Sequence, residues 1–117
     1  MRTHIESNLQ KTCVKWFRYQ FPRYRNLLFA VPNGGARSAV TGAILKAEGV
    51  LAGVADLLLL VPNKKYHGLC IEMKTAKGRQ SQSQKDWEKA VTLQGYKYIV
   101  VRSADQFVKE IMEYLLP

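Results

Sequence analysis

Cysteine is scarce in this 117-residue chain: Cys13 and Cys70 are the whole complement, far apart and with no second ligand pair near either. A disulfide-stapled scaffold and a cysteine-ligated zinc framework are thereby excluded, and a reduced intracellular chain, cytoplasmic and not secreted, is expected. Long apolar runs are missing too. The longest, Val54 to Val61, is interrupted by Asp56 and falls far short of the roughly 20 residues a membrane helix needs. The opening stretch MRTHIESNLQ puts charged and polar residues where a signal peptide needs its apolar segment. No membrane partner is expected. Acidic residues are few: nine Asp and Glu face 18 Lys and Arg, for a net charge of +9. Within the first 47 residues eight bases face a single acid, Glu6. That imbalance points to a polyanion, because Lys and Arg side chains that approach phosphates release condensed counterions.

What is present supports one packed domain over residues 1–117. Hydrophobic residues make up 47% of the chain, and the length is sufficient for a core without staples. Repeats, low-complexity tracts and linkers are lacking. Thr3 followed by Glu6 reads as a capping box opening a helix on which Leu9, Cys13, Trp16 and Phe17 recur at helical spacing, with Pro22 beyond its end. NLLFAVP reads as a strand, and NGGARS as a loop into a helix ending near Gly49. Two apolar segments follow, Val54 to Val61 and Leu69 to Thr75, separated by the turn-rich PNKKYHG. That spacing predicts a hairpin. SQSQKDWEKAVTLQG predicts a helix capped by Ser81 or Ser83 and ended at Gly95, YKYIVV a strand, and Ser103 with Gln106 a further capping box for a last helix. The order α-β-α-β-β-α-β-α is that of an α/β fold, a mixed sheet flanked by helices.

The stretch CIEMKTAKG, residues 70–78, carries the chemistry. Side chains alternate along a strand, so Glu72 and Lys74 project together, about 6.5 to 7 Å apart, while Ile71 and Met73 point the other way. If the hairpin turn is centred on Lys64, Asp56 falls opposite Glu72, and a centre displaced by half a residue shifts the pairing by one. Directly paired residues hold their Cβ atoms about 4.5 to 5.5 Å apart, close enough for two carboxylates to share one cation. Such a pair is costly unless a metal or a proton separates the charges, and its hard oxygens suit Mg²⁺ or Mn²⁺.

Asp56, fifteen residues, then Glu72-Met73-Lys74 resembles the PD-(D/E)xK nuclease core. The surroundings are similar to its virus-type replication-repair nuclease branch, the VRR-NUC domain. The likeness takes in Glu6 on the first helix, NGGARS, LKAEGVLAGVADLLLL, IEMKTAKGRQSQSQKDW with Gln84 on the following helix, and GYKYIVVRS at the closing strand. Ala55 stands where that family usually has proline, a position that shapes backbone and ligates nothing. The resemblance implies a restriction-endonuclease-like core in a bacterial or phage-infected cell. It also implies that Asp56, Glu72 and the Met73 backbone carbonyl hold Mg²⁺ or Mn²⁺, with Glu6 as an additional ligand candidate. Lys74 would orient a water or neutralise phosphate charge, and Gln84 would hold Lys74 or that water. The reaction is phosphodiester hydrolysis leaving a 5′-phosphate.

Asn33, Gly34, Gly35 and Arg37 have two readings: a backbone cradle for phosphate at a helix start, or a tight turn with Ser38 as the cap. Lys77 and Arg79, just past the motif lysine, complete the candidate DNA contacts. Trp16, Trp87 and the tyrosines are read as packing residues, and His4 and His67 receive no role. Two classes compete: a metal-dependent nuclease on structured DNA, and a basic binding module whose acidic pair is structural. The resemblance favours the nuclease. It implies cleavage of branched DNA, a four-way junction above a flap or a nonspecific target, by a homodimer whose two-fold axis relates two sites.

Overall fold

In the computed structural model, which describes residues 3–32 and 38–116, the first helix begins where the sequence marks it. Thr3 holds extended backbone and its Oγ1 accepts the Glu6 N–H at 3.1 Å, opening helix α1, His4–Gln20. Phe21 ends it, and Pro22, which suits the first turn of a helix, opens a short 3₁₀ turn, Pro22–Leu27, that takes Asn26 and Leu27 from the start of the expected first strand. The strand itself, β1, is only Leu28–Ala30. Helix α2, Ala39–Ala47, is capped by Ser38, whose side chain accepts the Thr41 N–H at 3.0 Å.

Strands β2, Leu57–Leu59, and β3, Leu69–Met73, form the expected hairpin. Leu57 faces Ile71, Leu58 faces Cys70 and Leu59 faces Leu69, so the turn is centred on residue 64. Asn63 is why. Its Oδ1 accepts the N–H groups of Lys65 and Tyr66 at 2.9 and 2.8 Å, and its Nδ2 donates to the Tyr114 carbonyl at 3.2 Å. An asparagine bonding the backbone two residues on is a turn former, and here it also ties the turn to the last helix. β2 is shorter than the apolar run of residues 54–61 because Asp56 breaks the ladder with its side chain, as described below.

Helix α3, Gln82–Leu93, crosses from β3 to β4, Lys97–Val101, and helix α4, Ala104–Leu115, closes the chain. The sheet order is β1-β2-β3-β4, antiparallel except for the β3–β4 pair. This is the mixed sheet with flanking helices that the pattern predicts. The capping of α4 differs in detail. Ser103 Oγ accepts the Gln106 N–H, but the Gln106 side chain accepts from Arg102 N–H at 2.8 Å and donates to the Val100 carbonyl at 2.9 Å, so it ties the helix start to β4 and does not return to the cap residue.

The two faces of β3 do different work. Leu69, Ile71 and Met73 join Cys13 and Phe17 of α1 and Phe107, Ile111 and Tyr114 of α4 in the core; each fully buried large side chain there contributes about 1.5 to 3 kcal/mol. Cys70 and Glu72 face α3, whose Trp87 meets Tyr98 of β4 edge-on. Burial pushes both cysteine thiols up to about 11, so neither behaves as a nucleophile at neutral pH. Among the described residues, no helix is long and apolar enough to cross a membrane.

Candidate active site

Asp56 ends β2 by replacing a ladder contact with its own carboxylate: Oδ2 accepts the Met73 N–H at 2.7 Å, while its backbone carbonyl accepts the Val31 N–H at 2.9 Å. Continuing the Leu57–Ile71 register by one residue sets Asp56 opposite Glu72. Both are buried, 8% and 2% exposed respectively, which is unusual for carboxylates and requires compensating partners.

Glu72 receives two. Gln84 Nε2 donates to Glu72 Oε2 at 2.8 Å, and Lys74 Nζ lies 3.7 Å from the same oxygen. The position of Gln84 follows from a capping box. Ser81 Oγ accepts the Gln84 N–H at 3.2 Å, and Gln84 Oε1 accepts the Ser81 N–H at 2.8 Å. With its carbonyl oxygen committed to the helix cap, the amide presents its NH₂ to the carboxylate. Sequence reasoning gave Gln84 to Lys74 or to a water; in the structure it holds Glu72. Lys74 is no surface lysine: its side chain is 13% exposed. Together Asp56, Glu72 and Lys74 leave one formal negative charge in excess, inside a protein of net charge +9. A shielded, acidic, oxygen-rich niche in a basic protein suits a cation that meets phosphate.

The negative field reaches Tyr98. Its phenol is held far above the ordinary range, first by burial, against a hydrogen bond from Gln80 at 3.2 Å that lowers it, with Glu72, Glu88 and Asp56 raising it further. It stays protonated throughout the working pH range of proteins.

The VRR-NUC domain family model matches residues 1–105 of this sequence. The chain belongs to the VRR-NUC family. A solved structure described as a VRR_NUC domain protein superposes with a TM-score of 0.83 at 24% identity, covering 98% of this chain and 91% of the other. That likeness bears on the fold: a mixed four-stranded sheet between helices is an α/β nuclease core. No curated protein matches significantly. Membership makes the activity of nuclease type, with DNA as the substrate and a divalent metal as the family's general requirement.

On this VRR-NUC scaffold the remaining candidates are distributed as follows. Glu6 lies in the first turn of α1, half-buried, its N–H on the Thr3 hydroxyl. Lys77 and Arg79 are exposed on the loop after β3. Asn33, Gly34, Gly35 and Arg37 lie outside the described residues. Ala55, in place of the family's proline, is fully buried.

Two contributors escaped the sequence reading. Arg102 Nη1 donates to the carbonyls of Thr75 and Gly78, both at 2.7 Å, and so staples the loop that carries Lys77. Gly53 has φ +91°, and a Cβ there would lie inside the van der Waals envelope of the Ser83 carbonyl at the start of α3. Only glycine allows the chain approaching Asp56 to lie against the turn that presents Gln84. The Gly-Val-Ala-Asp spacing was a usable signal for it, since a glycine three residues before a functional carboxylate invites a close-approach reading.

Gly53→Ala therefore meets both a left-handed backbone and a backbone clash. The left-handed conformation alone costs about 1 to 2 kcal/mol, so the melting temperature is expected to fall by at least about 5 °C, with cleavage lost in parallel as Gln84 moves. A calorimetric scan beside a cleavage assay checks this. A variant with unchanged Tm and full activity refutes the packing role.

Proposed function

We propose that this VRR-NUC chain is a Mg²⁺- or Mn²⁺-dependent endodeoxyribonuclease that cuts branched DNA, four-way junctions foremost. The observation that carries the reading is the apposition of two buried carboxylates with Lys74 Nζ 3.7 Å from one of them. The donor set fits such an ion. Asp56 and Glu72 supply hard carboxylate oxygens and the Met73 carbonyl a third oxygen. Among the described residues no cluster of three or more His, Cys, Asp or Glu side chains could hold a metal, so water and substrate phosphate complete the shell. Mg²⁺ is commonly held that way, by one or two carboxylates plus phosphate oxygens. When bound, the ion supplies charge neutralisation at the scissile phosphate and acidification of a water.

The chain's own residues do the rest. Gln84 fixes the Glu72 carboxylate, and the Met73 N–H fixes that of Asp56, so both present their oxygens without reorganisation. Lys74, steadied by Glu72, orients the attacking water or takes up charge that grows on the non-bridging oxygens. The water oxygen bonds to phosphorus as its proton passes to solvent, the bond from phosphorus to the 3′ oxygen breaks, that oxygen takes a proton from solvent and departs as a 3′-hydroxyl, and the phosphate stays on the 5′ end of the other strand. Glu6, in the first turn of α1, would be the further carboxylate if a second ion or an ordered water were held.

Symmetric cutting of a four-way junction needs two sites about a two-fold axis, and the surface of α2 supports a homodimer. This helix buries no residue in its own domain, and Val40, Ile44 and Leu51 beyond its end are 71%, 54% and 57% exposed. Val40 and Ile44 sit one helical turn apart, an apolar row that a second copy would cover isologously.

Asp56→Asn, Glu72→Gln and Lys74→Ala are each expected to slow cleavage of a labelled junction by about a hundredfold or more while junction binding persists or tightens, because the unbridged carboxylates repel phosphate. Chelator should stop the wild type in the same way. Any one of the three cutting at near wild-type rate in a quenched time course would refute the assigned site.

Glutamine separates the two roles open to Glu6, since it can serve a helix cap but lacks the charge a cation needs. Glu6→Gln should keep its melting temperature and lose most activity. Normal cleavage by Glu6→Gln, with Glu6→Ala losing the roughly 0.5 to 2 kcal/mol typical of a cap, would reduce Glu6 to a helix-start residue.

Ile44→Asp places a charge in the proposed dimer surface. Light scattering should report a monomer, and paired incisions across the junction should become single nicks. A wild type that is monomeric both free and on junction DNA sinks the dimer reading.

A further inference from the structure

Between α1 and the edge strand β1 runs a groove of about 780 Å³ that the proposed chemistry does not use. Lys11, Lys15 and Arg18 line one wall and Arg25 of the 3₁₀ turn closes it. The first three recur four and three residues apart, so they form one stripe of α1 about 10 Å long at 1.5 Å per residue. Among the described residues none of these four cations has an acidic partner. At one end lies Ala30, which pairs with Leu57, the neighbour of Asp56 along the chain.

A further feature belongs to the groove and does not concern phosphate. Tyr19 and Phe29 are 84% and 39% exposed on its walls, and neither ring packs on another aromatic among the described residues. Exposed rings offer stacking faces to unpaired bases, and in an intact duplex most of a base's faces and edges are stacked or paired.

We infer that this groove holds a single strand of nucleic acid, the strand that parts from the duplex beside the cleaved phosphate. The cations track its backbone, and Tyr19 and Phe29 stack on its bases; a line of cations interleaved with exposed aromatics is how unpaired strands are held without sequence preference. The inference rests on the nuclease reading for where the strand leads, and it gives that reading a basis for choosing branched DNA: at a branch point a strand leaves its partner, and a linear blunt duplex offers none.

Fluorescence anisotropy with labelled oligo-dT and with a blunt DNA hairpin of equal length, both in EDTA so that nothing is cut, tests it. Tyr19→Ala and Phe29→Ala, verified as folded by their melting temperatures, should each weaken oligo-dT binding about tenfold and change hairpin binding less than about twofold. Lys15→Ala and Arg18→Ala should each flatten the slope of log K against log[salt] on oligo-dT by about 0.7. Aromatic variants that bind oligo-dT as the wild type does, or that lose both DNAs equally, overturn the inference. So does a poly-glutamate peptide that binds as tightly as oligo-dT, which would make the groove a site for acidic protein segments.

Junction cleavage in Mg²⁺ and Mn²⁺ by wild type and Asp56→Asn is run alongside. A wild type that cuts nothing while Tyr19→Ala loses oligo-dT overturns the nuclease reading and supports the groove. A wild type that cuts while the aromatic variants bind unchanged supports the nuclease reading and overturns the groove.

Discussion

Two carboxylates buried face to face at the end of a hairpin are the constraint around which the rest of this fold is arranged. Taking Asp56 and Glu72 out of water is costly, and placing like charges opposite each other adds to that cost. Hydrogen-bond and ion-pair partners offset it. The Met73 N–H serves Asp56, while Gln84 and Lys74 converge on Glu72 Oε2. Each partner is itself fixed by a contact apart from the carboxylate. Met73 is locked in the sheet by its pairing with Val101, Gln84 by a reciprocal helix cap, and Lys74 by the hydrogen bond of its own N–H to the Val101 carbonyl at 3.0 Å. Groups held this way are preorganised, since the fold alone sets their positions.

The scaffold keeps that arrangement separate from its stabilising core. Along β3, Leu69, Ile71 and Met73 are committed to the apolar interior with Phe17, Phe107 and Ile111, leaving the opposite face to carry polar groups beneath α3. Stability and chemistry therefore use alternate residues of one strand. The surface charge is divided as well: exposed cations lie on α1 and on the loop after β3, while the two carboxylates are buried. Arg102 belongs to this design as a structural cation, spent on the carbonyls of Thr75 and Gly78 to hold the loop that bears Lys77.

Much of this was legible in the chain. The alternation of Ile71 and Met73 against Glu72 and Lys74, the capping residues Thr3, Ser81 and Ser103, and the turn chemistry of Asn63 are local signals with local causes, and the hairpin, though not its register, followed from them. The element order followed as well. What misled were places where a side chain bonds outside its own element. Gln106 satisfies the rule for a capping box in sequence but spends its amide on Arg102 and Val100 of the neighbouring strand. Gln84 obeys the same rule and then reaches Glu72, twelve residues away. Strand lengths were overestimated because Asp56 interrupts the β2–β3 ladder with its carboxylate, and because Pro22 opens a 3₁₀ turn that takes up residues with strand composition.

By itself the sequence determined the class of the fold and the family to which the chain belongs, since each depends on spacing within about twenty residues or on the order of motifs, while the hairpin register it left open was decided by the pairing of Leu57 with Ile71. Only the tertiary structure decided what surrounds those residues: the approach of Gly53 to Ser83, the loop staple of Arg102 and the groove that joins α1 to β1. These contacts link segments whose separation along the chain carries no periodic signal, and packing in three dimensions alone sets which of many compatible side chains meet.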